Sequence, residues 1–302
     1  MGHLRPPFIM LNPDQLADYR DNGYLVLPDF KTLAAVQDLR QWATGFVDRF
    51  DASQVKSIFT TREQSRQVDE YFLGSADKMR CFFEEEAFDA AGQLRQPKAL
   101  SINKIGHALH DLDPLVSQFS GGPALAELGR DLGLKRPQIW QSMVIFKQPH
   151  IGGEVRWHQD ASFFDSAPVT VTTFWFALED ATLENGCLWV QPGGHLGPLR
   201  ERFVKSADHG AAMEVLDRTP WPTLDQAKPV EAPARTLVIL HGLLPHYSAA
   251  NRSSRSRMAF TLHVTDASSV YSPTNWLQRG TALPVRGFEQ SLQTPLQIRR
   301  LK

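Results

Sequence analysis

From about residue 140 the chain becomes a succession of short β-rich runs separated by Gly, Pro, Asn and Asp, with no helical period between them. The runs are WQSMVIFKQ, VRWHQDASF, VTVTTFWFAL, GCLWVQP, ARTLVILHG and RMAFTLHV. Strand-sized segments at this density, without intervening helices, favour an antiparallel sandwich or jelly roll. The stretch from Leu199 to Ala234 breaks the pattern with mixed polarity and several prolines. It reads as a long insertion or loop, with room for a short helix.

The first 135 residues read as largely helical. Asn12 can cap a helix whose first position is Pro13 and whose end is Gly23, since Asn, Pro and Gly each suit that place. GYLVLPDF follows as a short strand. A longer helix fits Thr32 to Phe50, where Leu33, Val36, Leu39, Ala43, Phe46 and Phe50 recur at three- and four-residue steps and form one apolar stripe. Another fits Gly122 to Leu134, closed by Gly133 and Pro137. The chain shows no repeat, low-complexity segment or linker. The expectation is one domain over residues 1–302, mainly β with flanking helices, helical to about 135 and with its β core from about 140.

The bulk numbers exclude several function classes. With 42% hydrophobic and 22% charged residues the chain can bury a sizeable core. A formal net charge of -1 gives no electrostatic drive toward nucleic acid or an anionic membrane. Cys81 and Cys187 stand apart from any Cys/His cluster, so zinc-ribbon and CxxC redox sites are absent, and two unclustered thiols fit a reducing compartment. MGHLRPPFIM lacks a secretory apolar region, position 6 is Pro where myristoylation wants Ser or Thr, and RRLK is no peroxisomal address. No apolar run approaches the ~20 residues of a membrane span. The expectation is a cytoplasmic protein, monomeric or weakly self-associating, with a small-molecule substrate and no nucleic-acid or membrane partner.

Chemistry enters at RWHQDASFF, Arg156 to Phe164. If VRWHQDASF is a strand, alternation puts His158 and Asp160 on one face and Gln159 on the other. One imidazole nitrogen and one carboxylate oxygen from that face can bind a divalent metal. Alone the pair says little: with 10 histidines and Asp at roughly 5%, one His-x-Asp arises by chance in about every second such chain. A third donor must come from elsewhere. His246, in LHGLLPHYSAANRSSRSRMAF, is the best candidate, and His241 competes with it. Two imidazoles and a carboxylate on a β scaffold match the facial triad of non-haem Fe(II) oxygenases, although zinc accepts the same donors.

Arg257 discriminates. It lies eleven residues after His246 and opens the apolar run MAFTLHV. An arginine there is costly to bury without an anionic partner, and its planar fork matches a carboxylate. A dicarboxylate such as 2-oxoglutarate can meet a metal at one end and this arginine at the other. The plain alternative is a solvated charge in a hairpin, which suits Arg252 and Arg255.

At these residues the sequence resembles the phytanoyl-CoA dioxygenase family of Fe(II)/2-oxoglutarate oxygenases. The likeness includes YFLGSADKMRCFFEEEAFD, SINKIGHALHDLDP, QSMVIFKQPHIGGEV, HQDASF, EDATLENGCLWVQPGGH and SRSRMAFTLH, blocks that span about residues 70 to 280. The resemblance implies a double-stranded β-helix, a cupin-like form of jelly roll. It implies that His158, Asp160 and His246 bind Fe(II). It places 2-oxoglutarate contacts on Lys104, Met143, Trp175, Ser248 and Arg257. It further implies that O2 and 2-oxoglutarate are consumed, that succinate and CO2 are released, and that a substrate C–H becomes C–OH. Related halogenases carry a small residue in place of the carboxylate, so Asp160 points to hydroxylation.

One departure is PGGH, Pro192 to His195, where the family commonly reads PGSH. Two rival readings remain: a metal- and 2-oxoglutarate-binding sensor without catalysis, and a zinc hydrolase, which has no use for Arg257 and Lys104. KQPHIGGEVRW reads as a lid beside the first ligands, with His150 and Trp157 as candidate substrate neighbours. Arg156, Trp157, Phe163 and Phe164 are the places to look for what shapes the substrate pocket.

Overall fold

The computed structural model describes residues 10–53, 55, 57–58, 70–205 and 210–289. The terminal stretches MGHLRPPFI and RRLK, on which the targeting readings rest, lie outside the described residues.

The helix caps form as their residues dictate. Asn12 accepts from the Gln15 N–H at 2.9 Å while Gln15 Oε1 accepts from the Asn12 N–H at 2.9 Å, closing a capping box at the start of α1 (Pro13–Asn22). Gly23 ends the helix at φ 78°, a conformation glycine adopts without penalty. Strand β1 (Tyr24–Leu27) follows. Thr32 caps α2 (Leu33–Arg49), which buries Val36, Leu39, Ala43 and Val47. The stripe therefore differs from expectation at its ends. Leu33, in the first turn, is 54% exposed, and Val47 takes the inner position between the partly buried Phe46 and Phe50.

Next come α3 (Glu70–Leu73), β2 (Met79–Phe83) and β3 (Ile102–His107). The part expected to be helical thus supplies two further strands beyond β1. Both are nearly buried on both faces, so they show no alternation to read. Helices α4 (Leu109–Leu112), α5 (Pro114–Ser120) and α6 (Pro123–Asp131) lead to the β core.

That core comprises β4 (Pro137–Lys147), β5 (Val155–His158), β6 (Ser166–Ala167), β7 (Thr172–Ala177), β8 (Leu188–Val190), β9 (Glu201–Lys205), β10 (Ala211–Val215), β11 (Lys228–Val230), β12 (Leu237–His241), β13 (His246–Ser248), β14 (Arg257–Asp266) and β15 (Val270–Tyr271). A seven-stranded sheet runs β1-β12-β7-β14-β4-β3-β2, and a four-stranded sheet runs β11-β8-β13-β5. The chain passes from one sheet to the other as it goes: β4 large, β5 small, β7 large, β8 and β11 small, β12 large, β13 small, β14 large. All these pairings are antiparallel. This is the double-stranded β-helix that the family resemblance implies.

The stretch expected to be an insertion or loop forms the antiparallel hairpin β9–β10, with a short 3₁₀ turn at Leu224–Gln226 and then β11. Its strands carry charged residues and stay half-exposed, so no apolar run marks them in the sequence.

Alternation along β14 builds the centre of the molecule. Met258, Phe260, Leu262 and Val264 face the layer of α2, α5 and α6, where they join one large apolar cluster. Arg257, Thr261 and His263 face the interior between the sheets and line its cavity. Both faces are covered, which is why every residue of β14 is buried. Phe260 packs edge-on against Phe119 at 5.4 Å and lies 6.1 Å from Phe176. Truncating it to Ala costs roughly 3–5 kcal/mol.

Candidate metal and cosubstrate site

The cavity between the sheets measures about 210 Å³. His158, at the end of β5, and His246, at the start of β13, are direct cross-strand partners, with ring centroids 4.0 Å apart. His158 Nδ1 lies 2.8 Å from the Arg156 carbonyl and His246 Nδ1 lies 3.0 Å from the Leu244 carbonyl. A carbonyl only accepts, so both Nδ1 atoms carry protons and both Nε2 atoms present lone pairs. Asp160 Oδ1 lies 3.6 Å from His158 Nε2 and 3.7 Å from His246 Nε2. The three donor atoms lie within 4.8 Å of one another, and a divalent ion fits among them.

Asp160 reaches this position differently from the expected strand. The strand ends at His158, and Asp160 opens a 3₁₀ turn (Asp160–Ser162). Gln159 stays extended between them at φ -120° and ψ 135°, so the two neighbours still converge. The Gln159 side chain points away, bonded to the Pro198 and Leu243 carbonyls and to the Arg200 N–H. Thr173 Oγ1 donates to Asp160 Oδ2 at 2.5 Å and leaves Oδ1 for the metal side. Burial alone would raise the Asp160 carboxyl. In the metal-free site the positive charge of the His246, His263 and His158 imidazoles when protonated outweighs it and holds the group well below the usual carboxylate range.

At the other end of the cavity Arg257 is 2% exposed. Its Nε donates to the Gly186 carbonyl at 3.1 Å and its Nη2 to Ser248 Oγ at 3.0 Å. Ser248 Oγ in turn donates to the same Gly186 carbonyl at 2.9 Å. The guanidinium carbon sits 5.5 Å from the Trp175 ring. Burial pushes the guanidinium down to about 10, so it stays charged at neutral pH. The solvated-hairpin alternative therefore fails for Arg257. It holds for Arg255, which is exposed and paired with Glu184 at 3.0 Å.

Lys104, on β3, is 6% exposed rather than a surface lysine, and burial pushes its amine down to about 7 against the opposing pull of Glu84. Met143, on β4, and Trp175, on β7, are buried wall residues of the same cavity. All eight residues singled out from the sequence therefore line one space: Lys104, Met143, His158, Asp160, Trp175, His246, Ser248 and Arg257.

The segment read as a lid is fastened to the core. The Gly153 carbonyl accepts from Lys147 Nζ at 2.7 Å, and its N–H donates to Glu84 Oε2 at 3.1 Å. Lys147 Nζ also donates to the Ala249 carbonyl at 2.6 Å, next to Ser248. His150 is exposed and lies off the cavity, with its carbonyl bonded to Arg252. Trp157 lines the cavity and stacks on Tyr247 at 5.4 Å, while Arg156, Phe163 and Phe164 line it as expected.

Other histidines separate clearly. His241 faces Tyr19 and His195, with its Nδ1 accepting from the Leu243 N–H, so it does not join the triad. His195 bonds the Arg20 carbonyl through Nε2 and packs over Gly23, where a Cβ would meet its Nδ1 at 2.4 Å. At Gly194, the serine position of the family's PGSH, a Cβ would meet Pro245 Cδ and Gln191 Oε1 at 2.8 Å. His263 was missed from the sequence: its Nε2 lies 3.6 Å from Asp160 Oδ1 and its ring stacks on Phe164 at 4.6 Å. Counting by twos along β14 from Arg257 reaches it.

Two imidazoles and a carboxylate on a double-stranded β-helix, with a buried arginine at the far end of the same cavity, define an Fe(II)/2-oxoglutarate dioxygenase as the class. The family follows from comparison. The family model described as "Phytanoyl-CoA dioxygenase (PhyH)" matches residues 19–259, and the chain belongs to that family. It is 45% identical over 272 residues to the Arabidopsis thaliana protein named phytanoyl-CoA dioxygenase, covering 89% of this chain and 94% of that one. It is 40% identical over 282 residues to the Bos taurus phytanoyl-CoA dioxygenase domain-containing protein 1, covering 91% and 97%. In fold it is similar to EctD from S. alaskensis, solved with 2-oxoglutarate and 5-hydroxyectoine, at TM-score 0.62 and 19% identity, covering 95% of this chain and 88% of that one. It is likewise similar to the alpha ketoglutarate dependent carbocyclase SnoK from nogalamycin biosynthesis, at TM-score 0.62 and 16% identity, covering 94% and 100%.

Proposed function

We propose that this protein hydroxylates an unactivated C–H bond of a small organic or acyl substrate, with release of succinate and CO2. The observation that carries the reading is a metal-competent His158–Asp160–His246 triad sharing one cavity with the buried cation Arg257. When bound, iron would activate O2, with 2-oxoglutarate as the electron donor: one oxygen atom would enter succinate as CO2 leaves, and the other would replace C–H with C–OH. The chain's own residues supply placement. His158, Asp160 and His246 would hold the metal, offering two Nε2 atoms and Oδ1. Arg257 and Ser248 receive the distal carboxylate of 2-oxoglutarate, and the shared Gly186 carbonyl orients both of them before it arrives. Lys104 adds a second cation, and Met143 and Trp175 are apolar walls that keep water from the cosubstrate.

The same proposal places the enzyme in the cytoplasm, as a monomer or weak homo-oligomer. The two cysteines are unbonded and buried, which suits a reducing compartment. No helix among the described residues is long and apolar enough to cross a membrane.

The test is succinate formation in the presence of Fe(II), ascorbate and 2-oxoglutarate, first without substrate and then over a metabolite extract with product detection by mass shift. We expect slow uncoupled succinate release, accelerated by the substrate, with one oxygen atom added to it. Iron-loaded protein that neither binds 2-oxoglutarate nor turns it over overturns the reading.

A further inference from the structure

Beyond the metal donors the cavity reaches polar groups for which the reaction above has no use. His107, on β3, is 1% exposed. Its Nδ1 lies 2.7 Å from Ser75 Oγ, and Ser75 Oγ donates its one proton to the Phe72 carbonyl at 2.5 Å. Ser75 must therefore accept from His107, which fixes the proton on Nδ1 and leaves a lone pair on Nε2. That Nε2 has no hydrogen-bond partner among the described residues. The ring packs edge-on between Phe72, at 5.4 Å and 79°, and Trp276, at 5.1 Å and 77°. Burial, reinforced by the charges of Lys104 and Arg279, pushes the imidazole well below its ordinary range and keeps it neutral.

Gln141, on β4, repeats the situation. It is 4% exposed and lines the cavity, and its side-chain amide makes no hydrogen bond among the described residues. It is the direct cross-strand partner of His263, whose Nδ1 is also buried without a partner. With its Nε2 facing the Asp160 carboxylate, His263 keeps a lone pair on Nδ1 as well. Buried polar atoms are nearly always bonded, and each one left alone costs about 1–3 kcal/mol. His263 Nδ1 is enclosed without a partner, whereas His107 Nε2 and the Gln141 amide open into the aromatic-walled cavity, where a ligand can pair with them. All are uncharged. The nearby Arg279 is paired with Asp111 at 3.1 Å, Lys147 is bonded to the Gly153 and Ala249 carbonyls, Arg156 stands exposed on β5, and Lys104 and Arg257 are assigned above to the cosubstrate.

We propose that His107 and Gln141 anchor the substrate, and that it is an uncharged ring compound whose hydroxyl or N–H donors meet these acceptors while its faces lie against Phe72, Phe164 and Trp276. The inference rests on the oxygenase reading and assigns the substrate class of that same site.

The experiment uses full-length, zinc-substituted protein with 2-oxoglutarate bound, titrated by ligand NMR with matched probes: indole against N-methylindole, and phenol against anisole. Each pair keeps the ring and removes the donor. Indole and phenol are expected to bind at least tenfold tighter than their methylated partners. His107→Phe should erase that preference while the rings still bind, His107→Gln should keep part of it, and Gln141→Leu should weaken it. Equal affinities within each pair, no binding of any probe, or a preference that survives both His107→Phe and Gln141→Leu overturns the proposal. Calorimetry of 2-oxoglutarate on the same samples separates the two readings. Failure there removes the oxygenase assignment, whereas normal cosubstrate binding without donor preference removes only this inference.

Discussion

His158 and His246 face each other across β5 and β13 as a register pair, and the sheet itself sets their separation. Asp160 has no such support. It stands in a turn, and Thr173 on β7 orients it through a single hydrogen bond to Oδ2. Metal affinity should therefore respond to a residue that touches no metal. Thr173→Val should lower Fe(II) or Mn(II) affinity by about 10–100-fold, the range for such supporting contacts, while His158→Ala or His246→Ala should abolish stoichiometric binding. Calorimetry and metal analysis after desalting check both. A Thr173→Val protein with unchanged affinity shows that the turn alone holds Asp160.

Arg257 and Ser248 share the Gly186 carbonyl and bond each other, so the arginine is oriented before any ligand enters. Arg257→Ala should weaken 2-oxoglutarate binding at least a hundredfold and leave metal affinity within about threefold. Arg257→Lys should recover little, because an ammonium cannot reproduce two directed N–H bonds from one planar fork. Binding of 2-oxoglutarate to Mn(II)-loaded protein, measured by calorimetry, decides the matter. Loss of metal and cosubstrate together means that Arg257 supports the fold of the site.

Lys104 gives the pH dependence. Burial lowers its amine to about 7, so the free site carries this charge below pH 7 and loses it above. A bound dianion favours the charged form and raises the amine again. Cosubstrate affinity should then be highest below pH 7 and fall with rising pH, by up to about tenfold per unit. At pH 8, binding should take up close to one proton, read from calorimetry in two buffers of different ionisation enthalpy. Lys104→Met should remove both the slope and the uptake. Wild-type protein without proton uptake at pH 8 shows that Lys104 does not meet the cosubstrate.

These residues were unequally legible in the sequence. The caps at Asn12 and Thr32 act within one turn of chain, and their partners lie three residues away, so local reading finds them. Strand alternation through Asp160 predicts that His158 and Asp160 share one face as a candidate metal pair. The strand stops at His158, yet the alternation survives because Gln159 alone needs to be extended. The triad's third member needed β13 to pair with β5, a long-range contact that motif likeness supplied and periodicity did not. The β9–β10 hairpin escaped because its strands are charged and half-exposed. His107 and Gln141 escaped for a different reason. Their meaning lies in bonds they do not make, and only the packed surroundings reveal that.

Gly186 fixes the Arg257 end of the cavity, and it contributes no side chain. Its carbonyl accepts from Arg257 Nε and from Ser248 Oγ. Its φ of 84° lies in the left-handed region, and a Cβ there would meet the Ala249 carbonyl and Lys147 Cδ at 2.6 Å. The first conflict strains the backbone by about 1 kcal/mol or more. The second is relieved only if the Ala249 backbone carbonyl and Lys147 both move, and Lys147 Nζ is held by the Gly153 and Ala249 carbonyls. Gly186→Ala should therefore destabilise the protein by roughly 2–4 kcal/mol, as strain and a displaced buried lysine add. It should also weaken 2-oxoglutarate binding more than metal binding, because the shared carbonyl moves away from Arg257 and Ser248. Urea unfolding and calorimetry on one preparation check both. A destabilised protein with wild-type cosubstrate affinity would show that Arg257 keeps its orientation without this carbonyl.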